Sequence, residues 1–245
     1  MTTLVLGPSL GTSCATLWGP CAALLGPELD VVGWDLPGHG SNREPVAPDL
    51  TVADLAAQVL ALVDGQFHYA GDSLGGAVGL QLALDAPERL QSLVVLCSGA
   101  RIGTPESWLD RIDLVRRAGT AVMVGPSSQR WFAPGFTDRE PERVGALLHA
   151  LADTEDAGYL AACHALSTYD VRGRLPEVTM PVLAVAGAED PVAPPASLAE
   201  VADGVPDGRL VVLDGVGHLA PIEQPEEVAR LVLEHCGRHP SRRTA

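Results

Sequence analysis

The sequence predicts an α/β fold, a mostly parallel sheet covered by helices on both faces and interrupted once by a helical insertion. Three observations carry that expectation: strand-length runs of Val and Leu recur along the chain, helical patterns separate them, and in one long interval the strands stop. Runs that are apolar throughout, rather than alternating, belong in sheets buried on both faces, and their alternation with helices gives parallel βαβ order.

In chain order the strand runs are 3–6, 31–34, 67–70, 93–97, 181–186 and 209–213, each closed by Gly, Asp or Ser. Residues 1–27 carry no charge, but no basic segment introduces them, and Gly7-Pro8, Gly19-Pro20 and Gly26-Pro27 are expected to interrupt any helix. Neither a signal peptide nor a membrane span is expected there, and a cytoplasmic protein is. Helical spacing covers 51–63 after Asp49, 74–84 before Ala86-Pro87, and 225–236 from a proline start. Between 102 and 179 there are three or four helical patterns and no convincing strand, with Pro105, Pro126, Pro134 and Pro141 marking breaks. The expected organisation is a core of 1–101 and 180–238, a helical cap of 102–179, and a disordered tail of 239–245.

At 245 residues, 47% of them hydrophobic, the chain is long enough for a large core. All 16 basic side chains are arginines. Without lysine there is no Schiff-base aldolase, pyridoxal-phosphate enzyme, Walker loop or Tyr/Lys dehydrogenase. A net charge of −15, with no basic cluster larger than the pairs at Arg116 and Arg242, speaks against nucleic acid and anionic membranes as partners. The five cysteines are odd in number, widely spaced and free of C-x-x-C pairs, so they read as reduced, mostly buried thiols. No metal or other cofactor is expected, and the oligomeric state is left open.

The chemistry concentrates in three turns. Gly71-Asp72-Ser73-Leu74-Gly75-Gly76 matches G-x-S-x-G and stands directly between a strand run and a helical run. There the glycines clear a strained turn that exposes the serine. An ordinary βα turn with a capping serine is the plainer alternative. Asp72 is expected to face helix or solvent.

A serine hydroxyl needs a base and an orienting carboxylate, in the order Ser, Asp or Glu, His. After the fifth strand run comes Glu189-Asp190-Pro191, and after the sixth Asp214-Gly215-Val216-Gly217-His218, each at the carboxyl edge of the sheet where sites assemble. Of seven histidines, His218 alone has the right position; His39 sits in a Gly-rich turn, His68 in a strand, and the rest in the insertion, last helix and tail. Asp190 is preferred over Glu189, which would point away, and over Asp214, which is too near His218. Two backbone N–H groups would receive the oxyanion, those of Leu74 and of Leu10 in the Gly7–Thr12 loop, where Pro8 cannot donate and Ser9 is the alternative to Leu10. That loop lacks the G-x-G-x-x-G of a dinucleotide site. Asp35-Leu36-Pro37-Gly38-His39-Gly40 reads as a turn that Asp35 ties down.

With these features the chain resembles the α/β-hydrolase superfamily over nearly its whole length and, within it, the 3-oxoadipate enol-lactonases of aromatic-compound degradation. The narrower resemblance lies in Ser9-Leu10-Gly11-Thr12 with Trp18, Ala100 to Pro105 with Trp108, Arg130-Trp131-Phe132, Gly158-Tyr159, and His218-Leu219 leading to Glu223-Gln224-Pro225. The chain departs from the family in starting where a strand hairpin usually precedes, so that N-terminal edge strands are missing, and in Asp72, where an apolar residue is more usual.

The resemblance implies a serine hydrolase that opens a small anionic lactone, 3-oxoadipate enol-lactone, to 3-oxoadipate through an acyl-enzyme. An anionic substrate in an acidic protein needs a local cation. Arg130, beside Trp131 in the lactonase-like segment, is the first choice for it and Arg101 the second, with Trp131 as an aromatic lid over the substrate. Another carboxylesterase, a carbon–carbon-bond hydrolase, an acyltransferase and a small-molecule receptor on the same fold are the alternatives.

Overall fold

The structure is a computed structural model and describes residues 2–238; the expected tail, 239–245, lies outside the described residues. In chain order the core opens with β1 (Thr3–Gly7), α1 (Cys14–Leu25), β2 (Asp30–Gly33), α2 (Val52–Leu60), β3 (Phe67–Asp72), α3 (Leu74–Asp85) and β4 (Leu90–Leu96). The insertion follows as α4 (Pro105–Ala118), α5 (Val124–Ser128), α6 (Phe136–Arg139), α7 (Pro141–Ala152) and α8 (Asp156–Thr168). The chain then returns through β5 (Val182–Gly187), α9 (Pro195–Gly204), β6 (Gly208–Leu213), α10 (Ala220–Glu223) and α11 (Pro225–Arg238).

The six strands form one sheet in the order β2-β1-β3-β4-β5-β6, and every pairing is parallel. Position in the sheet explains composition. The inner strands β3 and β5 are buried at every residue, as continuous apolar runs require, whereas the edge strand β6 alternates and leaves Leu210 and Val212 exposed. Helix α1 packs on α11 and α2 on α3, giving the layers that flank the sheet.

The first crossover, from β1 to β2, runs one way along the sheet, and the next returns past β1 to β3. The order therefore reverses between β1 and β3, and the turns leaving their carboxyl ends face each other there. In an open α/β sheet such a switch point is where a ligand cleft forms. Here those turns are the Gly7–Thr12 loop and the Ser73 turn.

One expectation for this half of the chain is corrected. Gly19-Pro20 does not end a helix; it lies inside α1. A reciprocal cap between Ser13 and Thr16 starts the helix, and Leu17, Trp18, Cys21 and Leu25 bury its inner face. Pro20 removes the N–H that the Thr16 carbonyl would accept, but both residues are half-exposed, so water substitutes at modest cost. In the insertion, Pro105 and Pro141 are the first residues of α4 and α7, a position where the missing N–H costs nothing. Among the described residues no helix is long and apolar enough to cross a membrane.

Candidate active site

The turn after β3 holds Ser73 at φ 54° and ψ −116°, a conformation that an L-residue adopts only when its surroundings impose it. The restraint is visible. The Ser73 N–H donates to the Leu96 carbonyl (2.9 Å), and the Ser73 carbonyl accepts the Ser98 hydroxyl (2.7 Å) and the Ala77 N–H (3.0 Å). A Cβ on Gly71 would lie 2.2 Å from the Gly75 carbonyl oxygen, and one on Gly75 would lie 2.5 Å from the Gly7 backbone. Glycine at both positions lets three backbone segments close around the serine.

His218 and Asp190 reach Ser73 from the ends of β6 and β5. Asp190 Oδ2 accepts His218 Nδ1–H at 2.8 Å, while Asp190 Oδ1 accepts the N–H groups of Val192 (2.7 Å) and Ala193 (3.1 Å). With Nδ1 committed as a donor, the neutral imidazole has an acceptor at Nε2, and this atom stands 2.9 Å from Ser73 Oγ. All three side chains are at most 5% exposed. Glu189 and Asp214 sit on the surface, outside this relay.

A half-buried carboxyl without a role in the sequence analysis fixes the histidine turn. Glu223 of α10 accepts the Gly217 N–H on one oxygen and the Ala133 N–H, from the insertion, on the other (both 2.9 Å). The His218 N–H in turn donates to the Trp131 carbonyl (2.8 Å). Burial pushes the Glu223 carboxyl up to about 7 against the pull of these N–H groups.

The Gly7–Thr12 loop is tied to the Ser73 turn by the Gly75 N–H donating to the Pro8 carbonyl (3.0 Å), and is closed on itself by Thr12, whose N–H and hydroxyl both bond the Ser9 carbonyl. Leu10 and Leu74 are both buried, and among the described residues their N–H groups take part in none of the turn, loop or cap bonds.

A cleft opens above Ser73 and His218, lined on the core side by Ser9, Leu10 and Val192 and on the insertion side by Trp108, Arg111, Ser127, Arg130, Trp131 and Tyr159. Arg130 and Trp131 are thus at the cleft. Arg101 is not; it follows β4, where its charge acts on Asp170 and Glu106. Arg111 is a cleft residue that the sequence reading passed over. Its signal was present: Trp108, Ile112 and Val115 form the buried stripe of α4, and Arg111 lies within that stripe. Arg111 Cζ sits 4.5 Å from the centroid of the Trp108 ring.

Two further placements differ from, or add to, the sequence reading. Asp72 faces neither helix surface nor solvent: it is fully buried, and among the described residues both carboxyl oxygens lack hydrogen-bond partners. Burial, with the like charges of Asp190 and Glu223, raises its carboxyl well above the usual range. The turn geometry that turns Ser73 toward the cleft directs its predecessor inward. His39 is likewise buried, with Nδ1 on the Pro37 carbonyl (2.9 Å) and its ring stacked on Tyr159; desolvation brings it down to about 4, so the imidazole is neutral and structural.

Comparison with known proteins agrees with this architecture. The model of the alpha/beta hydrolase fold family matches residues 3–225. A 3-oxoadipate enol-lactonase of Acinetobacter baylyi is 35% identical over 227 residues, 91% of this chain and 84% of that protein. A putative carbamate hydrolase of Stutzerimonas stutzeri is 29% identical, over 96% of this chain and 93% of its own. Among solved structures, the enol-lactonase from Burkholderia xenovorans superposes with a TM-score of 0.92 at 30% identity, covering 96% of this chain and 91% of that one.

Proposed function

The chain belongs to the α/β-hydrolase fold family and is a carboxylic ester hydrolase, and from that premise we propose that it opens a small anionic lactone, 3-oxoadipate enol-lactone, to 3-oxoadipate. The observation that carries the reading is the hydrogen-bonded line from Asp190 through His218 to Ser73, ending in a cleft into which an arginine projects. The enol-lactonase relatives support the choice of lactone and its place in aromatic-compound degradation.

Ser73 Oγ adds to the lactone carbonyl as its proton passes to His218 Nε2. The imidazolium so formed is stabilised by the Asp190 carboxylate, which is itself held by two backbone N–H groups. The negative charge on the carbonyl oxygen falls between the N–H groups of Leu10 and Leu74, each contributing on the order of 3 kcal/mol. Collapse breaks the bond to the ring oxygen, which takes the proton from His218 and leaves as an enol, stable enough to leave readily and free to tautomerise to the ketone. Water then adds to the acyl group, giving its proton to His218, and Ser73 departs with that proton. The Arg130 guanidinium holds the substrate carboxylate, and Trp131 closes the cleft to bulk water.

Mixing the enzyme with enol-lactone and quenching within a single turnover should place the acyl mass on the Ser73 peptide, and Ser73→Ala should carry none. Turnover that persists in Ser73→Ala would end the nucleophile assignment.

A further inference from the structure

We propose that Ser98 is a positioning residue for ester cleavage: its hydroxyl aims the Leu74 N–H at the oxyanion by holding the other end of the same peptide group. This role rests on the reading of Ser73 as nucleophile and Leu74 as oxyanion donor, and adds the side chain that keeps that donor in place.

The Ser73 carbonyl and the Leu74 N–H belong to one planar trans peptide, so the direction of one fixes the direction of the other. That carbonyl accepts the Ala77 N–H (3.0 Å), which sets it along the first turn of α3, and the Ser98 hydroxyl at the shorter distance of 2.7 Å. Two donors arriving from different elements restrain a peptide plane that one donor would leave free to tilt. They also polarise it, and a peptide whose carbonyl is hydrogen-bonded presents a stronger N–H. Ser98 is fully buried, and among the described residues its hydroxyl makes no other hydrogen bond.

The chain is shaped to bring this hydroxyl to the turn. Among the described residues only two besides glycine have positive φ: Ser73, and Cys97 directly after β4 (φ 44°). Such a conformation persists where neighbours impose it. Here the Cys97 N–H donates to the Val185 carbonyl of β5 (2.9 Å), and its thiol donates to the Gly217 carbonyl (3.6 Å), in the peptide that carries the His218 N–H. The left-handed step ends the strand, and the next side chain, Ser98, packs on the start of α3. Gly76 admits it there: a Cβ at Gly76 would lie 2.6 Å from the Ser98 Cβ and 2.7 Å from its hydroxyl oxygen. The glycine that follows the G-x-S-x-G pattern thus makes room for the side chain that holds the Ser73–Leu74 peptide.

The test reads the oxyanion directly. In 2,2,2-trifluoroacetophenone the carbonyl carbon accepts Ser73 Oγ, the hydroxyl proton passes to His218, and the negative oxygen of the hemiketal so formed occupies the oxyanion site. Acetophenone forms no stable adduct, so its inhibition reads ground-state fit alone. In Ser98→Ala the Ser73 carbonyl keeps the Ala77 N–H, and the fold is expected to survive. The inhibition constant of the trifluoro ketone should rise by about 5–30-fold, part of the roughly 100–1,000-fold that a whole oxyanion donor is worth, while that of acetophenone stays unchanged. The kcat/KM for p-nitrophenyl acetate should fall by the same factor. Ser98→Cys, which keeps a weaker donor, should fall between wild type and Ser98→Ala; a greater loss than in Ser98→Ala would show packing rather than donation at work and overturn the proposal. An equal ratio of the two ketone affinities in wild type and Ser98→Ala would overturn it as well, and would leave the proposed hydrolysis standing. Wild-type enzyme that binds the trifluoro ketone no better than acetophenone would overturn both. A Ser98-dependent ratio in an enzyme that leaves enol-lactone uncleaved would discard the lactone and keep the role of Ser98.

Discussion

Asp72 gives the most quantitative prediction. It is fully buried directly before Ser73, its two oxygens have no hydrogen-bond partner among the described residues, and Asp190 and Glu223 press like charge on it. The unfolded chain releases this proton near about 3.9, whereas the folded chain retains it well above that value. Between the two values the unfolded state binds fewer protons than the native one, so native stability falls as pH rises, by about 1.4 kcal/mol per unit. From about pH 5 to about pH 7 the penalty grows, by at most about 1.4 kcal/mol per unit and only while Asp72 keeps its proton, against the roughly 5–15 kcal/mol that holds a typical domain together. Asp72→Asn keeps the shape and removes the proton. Urea unfolding of both proteins at the two pH values should show Asn gaining on the wild type by that amount, while the Glu223 contribution, common to both, cancels. Asp72→Leu, which also removes the unpaired oxygens, should be more stable than wild type at either pH. Parallel pH dependences for wild type and Asp72→Asn would show that Asp72 ionises normally and refute the reasoning.

The other predictions follow from the same contacts. Gly75→Ala places a methyl 2.5 Å from the Gly7 backbone and should lower stability by at least about 1–3 kcal/mol in thermal unfolding, with the Ser73 turn displaced. Glu223→Ala strands the N–H groups of Gly217 and Ala133; a loss of about 2–4 kcal/mol and a lower kcat are expected, because those two groups position His218 and Trp131. Its carboxyl is pushed up to about 7, so the burial penalty on its charged form grows as pH rises from about 4.3 to 7, and stability in that window should slope less in Glu223→Gln. Arg130→Ala should raise KM for the anionic lactone more than for a neutral ester; equal effects on both would remove Arg130 from carboxylate recognition.

The parts of the molecule written in local patterns were legible in the sequence. Continuous Val and Leu runs marked all six strands, most clearly the inner β5, which is buried on both faces and has no polar position to obscure it. Ser73, Asp190 and His218 stood out because each closes a strand at the carboxyl edge, and the structure brings them within hydrogen-bonding distance. Less was legible where a local rule met a tertiary override. Pro20 masked α1, whose stability comes from packing on α11. The direction of Asp72 is set by the strained turn rather than by strand alternation.

The proposed reaction is cleavage of a lactone, selected by its negative charge, by a Ser73 made nucleophilic by His218 and Asp190. The measurement that tests it most directly is kcat/KM for 3-oxoadipate enol-lactone beside p-nitrophenyl acetate and a neutral γ-lactone, under identical conditions. A preference for the anionic lactone of at least about 100-fold, weakening as salt is added, is expected. A neutral ester or lactone turned over equally well, or better, would contradict it.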